Sequence, residues 1–77
     1  MNNASASALV GYTYAPLLSL QVGDKVKPHA MPAFTIATIE NDGKGTFRFT
    51  ATKGKGYTLC LPCAEMAVNV QLLRKDN

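Results

Sequence analysis

Hydrophobic positions along the chain recur at a spacing of two more than at the three-and-four spacing of a helix. The segment Thr46-Phe-Arg-Phe-Thr-Ala-Thr52 alternates throughout, with Phe47, Phe49 and Ala51 on one face and Thr46, Arg48, Thr50 and Thr52 on the other. That is the pattern of a strand with one dry side and one wet side. Ahead of it, Phe34 to Glu40 is rich in the β-branched residues Thr35, Ile36, Thr38 and Ile39 and runs into Asn41-Asp42-Gly43, which predicts a hairpin turn. Behind it, the turn Lys53-Gly54-Lys55-Gly56 leads into Tyr57-Thr-Leu-Cys-Leu61, where Tyr57, Leu59 and Leu61 share a face. Two further strands are predicted. One covers Leu20 to Lys27, with Val22 and Val26 pointing to one side around a Gly23-Asp24 turn or bulge, and the other is Val68-Asn-Val-Gln-Leu72. Pro28 and Pro32 bracket an irregular surface loop, and Pro62-Cys-Ala-Glu-Met66 suits a single helical turn. The consistent faces of these strands give an expected core of Val22, Val26, Ile36, Ile39, Phe47, Phe49, Leu59, Leu61, Val68 and Val70.

Residues 1–8 are small and polar and are expected to form a disordered tail. Residues 9–19 hold Val10, Tyr12, Tyr14, Leu17 and Leu18 but also Gly11 and Pro16, which argue against a long helix and for an extended arm. The polar end, Arg74 to Asn77, is expected to fray. Five short strands, a long irregular first loop, tight middle turns and one helical turn before the last strand resemble an SH3-like small barrel. The expected fold class is therefore all-β, with a five-stranded SH3-like barrel over residues 20–77.

Composition sets limits on function. The 77 residues amount to one domain, 47% hydrophobic and 17% charged, which is a globular composition. No stretch approaches the roughly 18 apolar residues of a membrane helix, and the N-terminus has neither the positive charge nor the apolar core of a secretion signal. Cys60 and Cys63 would close too small a loop to staple a fold, so they are expected to be reduced thiols in a cytoplasm. Eight Lys and Arg against five Asp and Glu give a formal charge of +3. Its distribution matters more than its size: Lys44, Arg48, Lys53 and Lys55 fall between Gly43 and Ala64 with no acid among them. Tyr12 and Tyr14, alternating on the arm, would supply a stacking platform beside that basic stretch, the combination used by single-strand binders. The competing reading is that they staple the arm to its own barrel or a neighbour's.

Within the small barrels, Gly11-Tyr-Thr-Tyr14, Gly23-Asp24-Lys25-Val26 and Pro62-Cys63-Ala64 are similar in layout to the plasmid- and integron-borne type II dihydrofolate reductases. The resemblance implies assembly into a homo-oligomer with a central pore for nicotinamide cofactor and folate. It also implies that Lys27 holds anionic groups. The pore segment of that family, Val-Gln-Ile-Tyr, is matched here by Thr58-Leu59-Cys60-Leu61, without the amide and without the phenol.

No complete catalytic constellation is present. His29 has no nucleophile placed for it. Cys60-Leu-Pro-Cys63 is half of a zinc site, completed only if a second copy supplies two more thiolates, and it lacks the helix N-terminus that would activate a redox cysteine. The residues therefore point to a non-enzymatic binding module with no cofactor. Its expected binding residues are Lys44, Arg48, Lys53, Lys55, Tyr12 and Tyr14, and its partner is a protein or a nucleic acid. A protein partner includes the case of an inhibitor encoded by a mobile element. The alternative is a reductase-like enzyme with a pore formed by several copies. Leu17, Leu18, Tyr12 and Tyr14 exceed what five strands can cover, which favours self-association.

Overall fold

The structure is a computed structural model, and it describes residues 10–76. The expected tail, residues 1–8, lies outside the described residues. Six strands form one antiparallel sheet: β1 (Tyr12–Pro16), β2 (Lys25–Lys27), β3 (Phe34–Asn41), β4 (Thr46–Ala51), β5 (Tyr57–Cys60) and β6 (Gln71–Lys75). Their spatial order is β1-β6-β2-β3-β4-β5, so β1 and β5 are the two edges and the sheet is not a closed barrel. Two 3-10 turns, Leu17–Ser19 and Ala64–Asn69, follow β1 and precede β6.

Strands β3, β4 and β5 lie where the alternation and the turn residues place them. Between them, Asn41 to Gly45 form a turn held by side chains. The Gly43 N–H donates to Asn41 Oδ1 at 2.9 Å, and Asp42 Oδ1 accepts from the N–H groups of Lys44 and Thr46 at 2.7 and 3.1 Å. Gly45 is buried and has φ +116, and a Cβ there would lie 2.7 Å from the Leu61 carbonyl oxygen. Only glycine meets both conditions. A register shift between Ile36 and Thr38 marks a bulge in β3. Such an irregularity bends a strand, and it falls where β3 leaves β2 for β4.

Four expectations are corrected. The arm is itself a strand: Tyr12 to Pro16 pair with Lys75 to Gln71, giving six strands instead of five. The predicted first strand, Leu20 to Lys27, shrinks to three residues because Val22-Gly23 form a turn, with Gly23 at φ +97. Val22 then points to solvent at 63% exposure. The helical turn expected at Pro62 to Met66 instead covers Ala64–Asn69, which carries Val68 out of the predicted strand and leaves it exposed. The last strand starts three residues later than expected, so Arg74 and Lys75 are paired strand residues and not a frayed end.

The core joins both halves of the sheet. Val26, Ile36, Phe47 and Phe49 are buried as expected, together with Ala15, Leu17, Leu20, Phe34, Ala67 and Leu72. Ile39, Leu59, Leu61 and Val70 pack against this cluster while only partly buried. Phe47 and Phe49 stack at 6.5 Å between ring centroids. Leu17 enters because its N–H donates to the Val70 carbonyl at 2.8 Å, drawing the first 3-10 turn onto the core.

Phe49 is among the largest fully buried side chains. Phe49→Ala is expected to cost about 3 to 5 kcal/mol through lost burial and the cavity left behind, a large share of a small domain's total stability. Thermal melting checks this, and a wild-type-like melting curve would show that Phe49 does not face the core.

Candidate functional site

Residues directly opposite each other in an antiparallel sheet project to the same face. Tyr14 is opposite Leu73, and Leu73 is opposite Lys27, so one row of side chains crosses β1, β6 and β2. Two residues along, Tyr12 is opposite Lys75, and alternation puts Lys25 on the same face as Lys27. The other face of these strands carries Ala15, Leu72 and Val26, all buried. The tyrosine and lysine rows therefore lie on the outside. Tyr14 is 64% exposed, Lys25 and Lys75 are exposed, and Tyr12, Lys27 and Leu73 are half-buried.

Two of the three lysines are held in place. Lys75 Nζ stands 5.7 Å from the centroid of the Tyr12 ring, within cation–π range. Lys27 Nζ donates to the Pro28 carbonyl at 3.1 Å. Asp24 and Asp76 border Lys25 and Lys75 in a small cleft, but both carboxylates are engaged. Asp24 Oδ2 lies 3.7 Å from the Arg74 guanidinium and accepts the Gln21 N–H at 2.9 Å, and Asp76 Oδ1 accepts the Thr13 hydroxyl at 2.7 Å. The ion pairs among the described residues are Glu40–Arg48 and Asp24–Arg74, and neither uses a lysine of this face.

A cleft of about 300 Å³ opens on the same face, bounded by Tyr14, Lys27, Pro28, His29, Gln71 and Leu73. Its rim is the turn Pro28-His29-Ala30-Met31, closed by the Met31 N–H on the Pro28 carbonyl. Ala30 takes φ 61 there, at the turn position where a positive φ ordinarily calls for glycine. A non-glycine residue so placed stores strain of order 1 kcal/mol or more, and such strain clusters at binding sites. Beyond this turn, Met31, Pro32, Ala33 and Phe34 line a second cleft of about 430 Å³ with Lys53, Gly54 and Lys55.

The basic stretch read from the sequence does not form one patch. Lys44 sits in the β3–β4 turn and Lys53 and Lys55 beyond the other end of β4, roughly 20 Å away at the rise of a strand. Arg48, between them, is opposite Glu40 and lies 3.6 Å from its carboxylate. Tyr12 and Tyr14 are on the edge strand furthest from β5, four strand spacings from β4, or roughly 19 Å along the sheet. What the structure brings together is Tyr12 and Tyr14 with Lys25, Lys27 and Lys75, while Lys53 and Lys55 stand across the 28–33 loop. Lys25 and Lys75 are absent from the sequence-based set, and Lys27 enters it only through the reductase resemblance. Tyr12-x-Tyr14 and Lys25-x-Lys27 both have strand spacing, which marks one face in each case. Only the pairing of β1 and β2 with β6 shows that it is the same face.

Cys60 and Cys63 are free, exposed thiols. Cys60 is on the edge strand β5, opposite Thr46, and Cys63 precedes the second 3-10 turn. Among the described residues no group of three or more His, Cys, Asp or Glu is placed to hold a metal ion, and no helix is long and apolar enough to cross a membrane. Comparison with known proteins gives no match, whether to family models, to curated proteins or to solved structures.

Hydrogen bonds from the Lys44 and Thr46 N–H groups hold the Asp42 carboxyl below its ordinary pKa. A depressed carboxyl pKa contributes stability that is present above the unfolded-state value, about 3.9, and is lost as pH falls through the lower folded value. Asp42→Ala is therefore expected to lower the melting temperature at neutral pH and to converge on wild type below that window. Melting curves across acidic pH test it, and a gap that stays constant with pH would contradict it.

Proposed function

We propose that this protein is a non-enzymatic binding module that engages single-stranded nucleic acid on the outer face of β1, β6 and β2. The observation that carries this reading is the shared face of Tyr12 and Tyr14 with Lys25, Lys27 and Lys75. Single-strand binders combine a positive track for the backbone with aromatic rings on which bases stack, a mode that tolerates sequence because every base has a π-face. Here the lysines sit one and two strands in from the tyrosines, at strand spacings of about 4.8 Å. Lys53 and Lys55 extend the positive track beyond the 28–33 loop.

Each phosphate neutralised on a single strand contributes about −0.7 to the slope of log affinity against log salt. The three lysines of this face then contribute about −2 to the slope, and the double variant Lys25→Gln/Lys27→Gln is expected to flatten it by about 1.4 and weaken binding. Lys44→Gln/Arg48→Gln is expected to change binding far less. Fluorescence anisotropy with a labelled single-stranded 12-mer at several salt concentrations measures both. No binding at roughly 150 mM salt, where the screening length is about 8 Å, would remove this reading and leave a protein partner in front. Equal effects of the two double variants would place the interface elsewhere.

Self-association is part of the proposal. It is supported by the two edge strands and by Leu18, Met66 and Val68, which are 57%, 45% and 66% exposed on the two 3-10 turns. Sedimentation at micromolar concentration is expected to show a dimer or larger species, and a lone 8 kDa species would refute it. The SH3-like likeness is supported by the five strands β2 to β6, with a 3-10 turn before the last and the last lying beside the first. The same order is the support for the reductase-like alternative, in which several copies form a pore. Titration with a nicotinamide cofactor discriminates it, and absence of binding at millimolar concentration ends it.

A further inference from the structure

We propose that two copies of this chain join through the open edge of β5, pairing Tyr57–Leu61 antiparallel with its own counterpart about a two-fold axis at Leu59. The inference rests on the self-association proposed above and names its surface. Along a paired antiparallel strand, successive residues turn both N–H and C=O alternately to one side and the other. The Leu61 N–H donates to the Gly45 carbonyl at 2.9 Å, so Leu61, Leu59 and Tyr57 direct their backbone groups to β4, where Phe47 and Phe49 lie opposite Leu59 and Tyr57. Thr58 and Cys60 therefore aim theirs away from the sheet. Among the described residues no backbone group meets them.

The other edge of the sheet is guarded where β5 is not. On β1, the Gly11 carbonyl accepts the Asp76 N–H at 2.6 Å and the Leu17 N–H donates to the Val70 carbonyl at 2.8 Å, which leaves Tyr12, Tyr14 and Pro16 facing outward, and Pro16 has no N–H to offer. Proline and charge are the ordinary protections of an edge strand. Tyr57–Cys60 contains no proline, and no residue from Gly56 to Ala64 is charged, so pairing two copies there sets no like charges against each other. The segment is also self-complementary. With the axis at Leu59, Thr58 lies opposite the partner's Cys60 and Tyr57 opposite the partner's Leu61, so the outward groups of Thr58 and Cys60 form four hydrogen bonds with their counterparts. Tyr57, Leu59 and Leu61 pack against the core but are only half-buried, and the second β5 covers the apolar surface that one copy leaves open. Pro62 ends the ladder. Because β1 is at the far end of the strand order from β5, the tyrosine and lysine face stays open on both copies.

Sedimentation combined with amide hydrogen exchange, read residue by residue by NMR, tests this. In the associated wild-type protein the Thr58 and Cys60 amides are expected to exchange at least about ten-fold more slowly, relative to their intrinsic rates, than those of Tyr12 and Tyr14. Thr58→Pro removes only an outward N–H, which an edge strand tolerates, and is expected to give a monomer in which the Leu59 amide is still protected. Cys60→Lys keeps every N–H, adds an edge charge and decides the case if the proline variant does not fold: it is expected to raise the dissociation constant of the dimer at least about ten-fold. A dimer whose Thr58 and Cys60 amides exchange as fast as those of Tyr12 and Tyr14, or whose dissociation constant is unmoved by Cys60→Lys, would overturn the β5 interface and leave self-association through another surface standing. Wild-type protein that sediments only as a monomer would overturn both.

Discussion

Strand β6, Gln71 to Lys75, is hydrogen-bonded along both edges, to β1 on one side and to β2 on the other. The chain's N-terminal strand and the strand that follows it are therefore both held in register by five residues near the C-terminus. That constraint decides which side chains share a surface. Leu72 faces inward with Ala15 and Val26 and helps close the core, while Leu73, one residue on, faces outward between Tyr14 and Lys27. Slipping β6 by one residue would exchange the two faces, exposing Leu72 and burying Lys75. Core packing and the candidate interface are thus two sides of one pairing.

The same pairing explains why the protein needs no large core. A chain of this size buries only about 60% of the surface its unfolded form exposes, so each covered apolar face counts. Residues 12–19 contribute Ala15 and Leu17 to the buried cluster, and the first 3-10 turn is tied to Val70, the residue that ends the second, by the Leu17 to Val70 hydrogen bond. Tyr14 is left outside on an edge strand, its backbone paired with Leu73 and its side chain 64% exposed, which suits a stacking surface better than an unpaired arm would.

Much of the central sheet was legible. The alternation Phe47, Phe49, Ala51 and the Asp42-Gly43 turn identify β3, β4 and their hairpin from local chemistry alone, because both faces and the turn are specified by neighbouring residues. The ends were not legible, for three physical reasons. Gly23 takes a positive φ and turns the chain where Val22 and Val26, set to one side, suggested a continuous strand, so Val22 lost its place in the core. The Ala64–Asn69 segment winds as a 3-10 turn, which breaks the alternation that Val68 and Val70 imply. The partner of β1 lies about sixty residues away in sequence, and neither strand carries a local mark of the other. The candidate site suffered most from this. A run of basic residues without an acid is a linear property, and Glu40 opposite Arg48 pairs one of its four charges across a hairpin, whereas Lys25, Lys27 and Lys75 become neighbours only through the sheet.

Both the core and the candidate interface depend on β1 docking on β6 in the register that places Tyr14, Leu73 and Lys27 in one row. Nuclear Overhauser contacts in the free protein measure it most directly. Contacts are expected from the Tyr14 ring to the Leu73 methyls, and from Leu73 to the Lys27 side chain, with the Leu72 methyls in contact with Val26 in the core. Tyr14 signals at random-coil positions with no contact to Leu73, or contacts from Tyr14 to Leu72 in its place, would contradict it.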